Sequence, residues 1–146
     1  MTLRSHIQYS AIAIPLLLPL GGLSATGYFL GGSILIDLDH YLIFIARQRR
    51  LIPRGFFAYH ERLFQQRHRI PYAGVFIFHT IEFLFFVGLV SFYIPLFRWL
   101  LAGMVFHNIL DLFYLSKNRY LFGRAMSFIE HLIRVKRHKP MGYPYF

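Results

Sequence analysis

The chain has 146 residues, a length that suits one domain, but 56% of them are hydrophobic and the mean hydropathy is +0.46, too apolar for an ordinary soluble domain of that size. A membrane protein is the class that fits. The formal net charge of +10 comes from cations that flank apolar stretches, so it points to membrane orientation and to anionic lipid headgroups, not to nucleic acid; with no cysteine, disulfides and thiolate metal sites are excluded.

After Arg4, no residue from Ile7 to Ile36 carries a formal charge, and the apolar character continues to Ala46. That is far more than the roughly 20 residues one crossing needs. Gly21 and Gly22 are the natural turn, because glycine accepts the positive φ of a tight connection. Two helices are therefore expected, over about 7–20 and 24–46. Pro15, Pro19 and the immediately following second span argue against a cleaved signal peptide.

Residues 47–71 form a loop rich in arginine, and its "FFAYHERLFQQRHR" mixes apolar and cationic residues as an interfacial helix does. From Ile70 to Phe97 the only charge is Glu82, which supports a third span over about 72–95; a fourth follows over about 98–116, after Pro95. In the tail, residues 117–146, "AMSFIEHLIRV" places Phe128, Leu132 and Val135 on one side of a second interfacial helix. The expected fold is an all-α, single-domain membrane bundle of four transmembrane helices. The positive-inside rule puts the loop, the tail and both termini in the cytoplasm, as an even number of crossings requires, and the chain in the inner (plasma) membrane.

The six acidic residues all lie within four positions of a histidine. Asp37, Asp39 and His40 fall in the second span, His79 and Glu82 in the third, His107 and Asp111 in the fourth; His60 with Glu61 and Glu130 with His131 lie outside the spans. His79 and Glu82 are i, i+3 and His107 and Asp111 are i, i+4, so each pair shares a helical face. Asp37 and His40 also share one, but Asp39 points well away from Asp37 in an ideal helix: either the helix is distorted there, loosened by Gly31 and Gly32, or Asp39 is a partner that orients a histidine rather than a direct ligand. Counted from the nearest cytoplasmic charges, the three groups lie within roughly 10–20 Å of the cytoplasmic helix ends, at one level. His6 lies near that level, and His60 and Glu61 join it if the loop folds back.

Ionisable side chains at helix centres cost about 2.5–3.5 kcal/mol each, so several at matching depth call for a compensating partner. A cation supplies one; a metal-free polar network or proton relay is the alternative. Histidine and carboxylate without thiolate suit zinc, manganese or iron, with room for two ions. A bound divalent ion makes water nucleophilic near neutrality, so hydrolysis follows. The preferred ligands are His40, His79, His107, Asp37 and Asp111, with Glu82 or Asp39 bridging ions or serving as general base. Arg47, Arg49, Arg50 and Arg54 are placed to hold a phosphate, which points to a phospholipid or lipid-linked phosphoester.

The order of an N-terminal histidine, "DLDH", a histidine at a helix start and "HNILD" resembles the small bacterial and archaeal inner-membrane proteins described as metal-dependent hydrolases, which are distantly similar to zinc-dependent phospholipase C. The resemblance runs from His6 to Asp111. It implies metal-binding roles for His6, Asp37, Asp39, His40, His79, His107 and Asp111, and zinc as the ion. The sequence departs from it at "FHTIEF", where a motif closer to His-Arg-x-x-Thr-His-Ser is expected. Rival functions are a di-iron lipid hydroxylase or desaturase, which lacks its His-x-x-His-His boxes here, a metal or proton carrier, and an assembly subunit. A carrier needs a path to both faces, yet the outer halves of the expected helices hold no acid or histidine.

Overall fold

The computed structural model describes residues 3–49, 51–52, 54–66 and 74–137, with the side chains of Leu3, Arg4, Arg47 and Arg137 excepted. Among them the structure is all-helical: α1 (Leu3–Leu35), α2 (Leu38–Gln48), α3 (Phe56–Gln65), α4 (Ile81–Tyr93), α5 (Phe97–Lys117) and α6 (Phe128–Arg137), with 3₁₀ turns at Ile77–His79 and Leu121–Gly123. The one extended pairing among the described residues is a parallel bridge between Val75 and Ala125.

The helical segment α1 is a hairpin. Gly22 leaves helical geometry at φ 70° and ψ −168°, a backbone state that costs glycine little. Ser10 and Ser33 then meet through their hydroxyls at 2.5 Å, although 23 residues of unbroken helix would hold them about 35 Å apart. The two arms, residues 3–21 and 23–35, therefore run back to back, with the reversal where Gly21 and Gly22 predict it.

The expected helix over 24–46 is interrupted. The chain turns at Ile36 and Asp37, and helix resumes as α2 with Asp37 at its N-cap, where the Asp37 carbonyl accepts the His40 N–H. The expected helix over 72–95 is shortened to α4. Residues 74–80 are extended or 3₁₀ because Thr80, with extended backbone, caps α4 by accepting the Phe83 N–H at its hydroxyl.

Among the described residues, two segments are long and apolar enough to cross a membrane, Ser5–Ala46, which contains the Gly22 reversal, and Phe97–Lys117. The 13 residues of α4 reach only about 20 Å, less than a hydrocarbon core of about 30 Å.

The α1 hairpin packs on α5 through backbone. A Cβ on Gly32 would lie 2.1 Å from the Leu100 carbonyl oxygen, and one on Gly103 would lie 2.0 Å from that of Phe29. Small residues at such crossings are what allows helices to approach without intervening side chains. Ile36, Val87 and Met104 join the turn after α1 to α4 and α5, flanked by Phe83, Leu84 and Leu100.

The distribution of polarity is the reverse of a soluble domain. Among the described residues, the buried set holds more polar than apolar side chains, including His6, Ser33, Asp39, His79, His107 and Asp111. Ile12, Leu16, Leu20, Phe85, Phe92 and Phe113 instead face outward from α1, α4 and α5. An outer surface of this kind matches a lipid environment.

Candidate metal centre

Two imidazoles meet at the middle of the polar interior. His107, wholly buried on α5, bonds through Nδ1 to the Ser33 carbonyl oxygen at 2.7 Å. A carbonyl only accepts, so Nδ1 carries the proton, and whenever the ring is neutral Nε2 carries a lone pair. His79, at the end of the 3₁₀ turn before α4, bonds through Nδ1 to Asp39 Oδ2 at 2.9 Å; the same oxygen accepts the Phe78 N–H at 2.9 Å. With Asp39 accepting, His79 Nε2 is also a lone pair. The two Nε2 atoms face each other at 3.4 Å. Two acceptors turned together without a proton repel, and a shared cation removes that repulsion.

Carboxylates complete the setting. Asp37 Oδ1 lies 3.3 Å from His107 Nε2, 3.5 Å from His40 Nε2 and 3.7 Å from His79 Nε2. Asp111 Oδ2 lies 3.8 Å from His107 Nε2 and 3.9 Å from His79 Nε2. In a four-coordinate site with metal–ligand bonds of about 2.0–2.2 Å, adjacent ligand atoms are about 3.3–3.6 Å apart. The Asp37 contacts to His107, His40 and His79 and the 3.4 Å contact between His79 and His107 fall at or near that range. These buried histidine and aspartate groups can hold a metal ion. Two triads have suitable ligand spacing, Asp37 with His40 and His79, and His6 with His107 and Asp111.

The second triad is already hydrogen-bonded. His6 Nε2 is 3.1 Å from Asp111 Oδ1, and the His6 ring stacks on His107 with centroids 3.8 Å apart and planes at 10°. Arg124 donates from Nη1 to Asp111 Oδ2 at 3.0 Å and from Nη2 to Asn108 Oδ1 at 3.3 Å. Arg124 is itself only 5% exposed. Its turn has no room for a side chain at Gly123, where a Cβ would lie 2.3 Å from the Tyr120 ring.

The break between α1 and α2 accounts for the opposed directions of Asp37 and Asp39. Asp37 turns to the histidine Nε2 atoms, while Asp39 stands behind His79 and sets its tautomer, the orienting position of the two open to it. Asp39 Oδ1 is buried without a hydrogen-bond partner. His107 and Asp111 share a face of α5 as their spacing predicts. His79 precedes the helix, so its spacing to Glu82 does not bring the two to one ion. Glu82 is turned to the start of α6, accepting from the Ser127 hydroxyl and the Phe128 N–H. The ring of His60 packs edge-on to that of His40, with centroids 5.2 Å apart, whereas Glu61 is exposed and bonded to Gln65. Arg49, which ends α2 at φ 51°, and Arg54 are exposed; Arg50 and the Arg47 side chain lie outside the described residues.

Sequence reasoning does not single out Arg124, Asn108 or the Ser33 carbonyl. Asn108 stands inside "HNILD", one residue after His107, and is the available signal for a contact of Arg124. Arg124 itself reads as one more cation of the tail, and a backbone carbonyl leaves no trace in sequence. Comparisons with protein-family models, with curated proteins and with solved structures each find no match.

Proposed function

We propose that the chain is a multi-pass inner-membrane, metal-dependent hydrolase that cleaves a phosphoester of a lipid or lipid-linked substrate at the cytoplasmic leaflet, with zinc as its ion. The facing lone pairs of His79 and His107, 3.4 Å apart and each fixed by an acceptor at Nδ1, carry the reading. An all nitrogen and oxygen donor set in a four-coordinate arrangement suits zinc. Bound there, the ion supplies an activated water and polarises a phosphoryl oxygen. The protein's part is to hold Asp37, His40, His79 and His107 in place, with Asp39 and the Ser33 carbonyl locking the two tautomers.

The two arms of α1 with α2, then α4 and α5, are read as four crossings with both termini cytoplasmic, in keeping with the cationic loop and tail. Arg49 and Arg54, exposed beyond the end of α2, are the described cations offered to an anionic headgroup. The resemblance to membrane metal-dependent hydrolases leads to the same substrate class.

The test is an assay of the detergent-purified chain on phospholipid mixed micelles. Phosphoester cleavage that stops on chelation and returns with zinc supports the proposal. Cleavage indifferent to chelator, or a zinc-loaded protein that cleaves no phosphoester, overturns it.

A further inference from the structure

The two triads beside His107 are not equivalent, and the difference bears on how many ions the site takes. In one, Asp37 Oδ1 stands 3.3–3.7 Å from three imidazole nitrogens, distances of ligand atoms around an ion. In the other, contacts have closed to hydrogen bonds: His6 to Asp111 at 3.1 Å, Arg124 to Asp111 at 3.0 Å and Arg124 to Asn108 at 3.3 Å. Each Asp111 oxygen is thereby occupied, Oδ1 by His6 and Oδ2 by the guanidinium. His6, donating from Nε2, leaves its lone pair on Nδ1, an atom buried without a partner and on the opposite side of the ring.

Charge leads to the same place. With the imidazoles neutral, Asp37, Asp39 and Asp111 face a single cationic side chain, Arg124, among the described residues of the cluster. One divalent ion neutralises what remains. A second would leave an excess positive charge in a low-dielectric interior, where uncompensated charge is expensive.

We infer that the site holds one divalent ion per chain, seated by Asp37, His79 and His107, and that the Arg124 guanidinium stands at Asp111 in place of a second ion. The inference rests on the metal-centre reading above. Arg124 and His6 are then positioning residues: they hold Asp111 beside the ion and give it no lone pair. Arg124 also ties elements together, since the next residues bond to the segment that carries His79. Ala125 N–H donates to the Gly74 carbonyl at 3.0 Å, and Ile81 N–H donates to that of Met126 at 2.9 Å.

The experiment is a zinc titration of the chelator-stripped full chain in detergent, read as bound zinc per chain after desalting. The wild type is expected to bind one zinc, Arg124→Gln two and Arg124→Lys one, because lysine restores the charge. His6→Ala is expected to keep one zinc with affinity lowered by no more than about 10–100-fold, the range for groups that only orient ligands. Two zinc ions in the wild type, or loss of the ion in His6→Ala as complete as in His107→Ala, would overturn the inference while leaving a metal centre standing. Should Arg124→Gln not fold, the wild-type and His6→Ala values decide it. Absence of zinc from the wild type would instead refute the metal centre itself.

Discussion

His79 shows how far a neighbour decides what a histidine can offer. Its ring is directed by Asp39, which also accepts the Phe78 N–H, so one carboxylate oxygen fixes both the backbone entering α4 and the tautomer. Removing the acceptor frees the ring to turn. Asp39→Ala is expected to weaken zinc binding about 10–100-fold, while Asp39→Asn, which keeps an acceptor oxygen, loses less. Competition with a chromophoric chelator measures both, and equal affinities for wild type and Asp39→Ala would contradict the role. At this scale the acid and histidine residues were legible, because ionisable groups in an apolar run stand out. Their division of labour was not. Asp37 and Asp39 stand only two positions apart in sequence, and what sends one to the histidine Nε2 atoms and the other behind a histidine is the turn at Ile36 and Asp37. Arg124 was illegible for another reason: in a tail full of cations nothing distinguishes the one that turns inward.

Between elements, the site depends on how closely α1 approaches α5, since Ser33 on the hairpin holds His107 on the opposite helix. Gly32 and Gly103 set that approach, with carbonyl oxygens where a Cβ would lie. Backbone cannot rotate away as a side chain can, so Gly103→Ala is expected to cost about 1–3 kcal/mol and to lower zinc affinity with it. Thermal unfolding together with the chelator competition tests this; a variant of unchanged stability and affinity would contradict the packing. Glu82 belongs to this scale as well. Because its carboxylate caps the start of α6, Glu82→Ala is expected to lower the thermal midpoint while leaving zinc content unchanged, and loss of zinc would place it back among the ligands. The Gly21–Gly22 reversal was readable because charge-free sequence on both sides left the glycines as the only signal. The start of α4 was misplaced by several residues, since hydrophobicity runs unbroken through Val75–Phe78 while the boundary is set by one hydroxyl, that of Thr80. The interruption at Ile36 and Asp37 was signalled only by Asp39, which an unbroken helix turns away from Asp37.

At the scale of the whole molecule, the buried set among the described residues holds more polar than apolar side chains, while many aliphatic and aromatic groups of α1, α4 and α5 face outward, an arrangement lipid favours. The four-crossing orientation is open to a direct test, because the chain has no cysteine of its own. Single cysteines at Leu23 and Ile94 are expected to react with a membrane-impermeant thiol reagent in intact cells, and one at Lys136 only after permeabilisation; the reverse pattern would contradict the topology. All of the proposed chemistry, however, follows from the meeting of His79 and His107. Metal analysis of the purified wild type beside His79→Ala and His107→Ala, with helicity monitored to show that each variant is folded, tests that meeting most directly. The expected result is a divalent ion in the wild type and its loss from both folded variants. A wild type free of metal, or variants that retain it, would contradict the account.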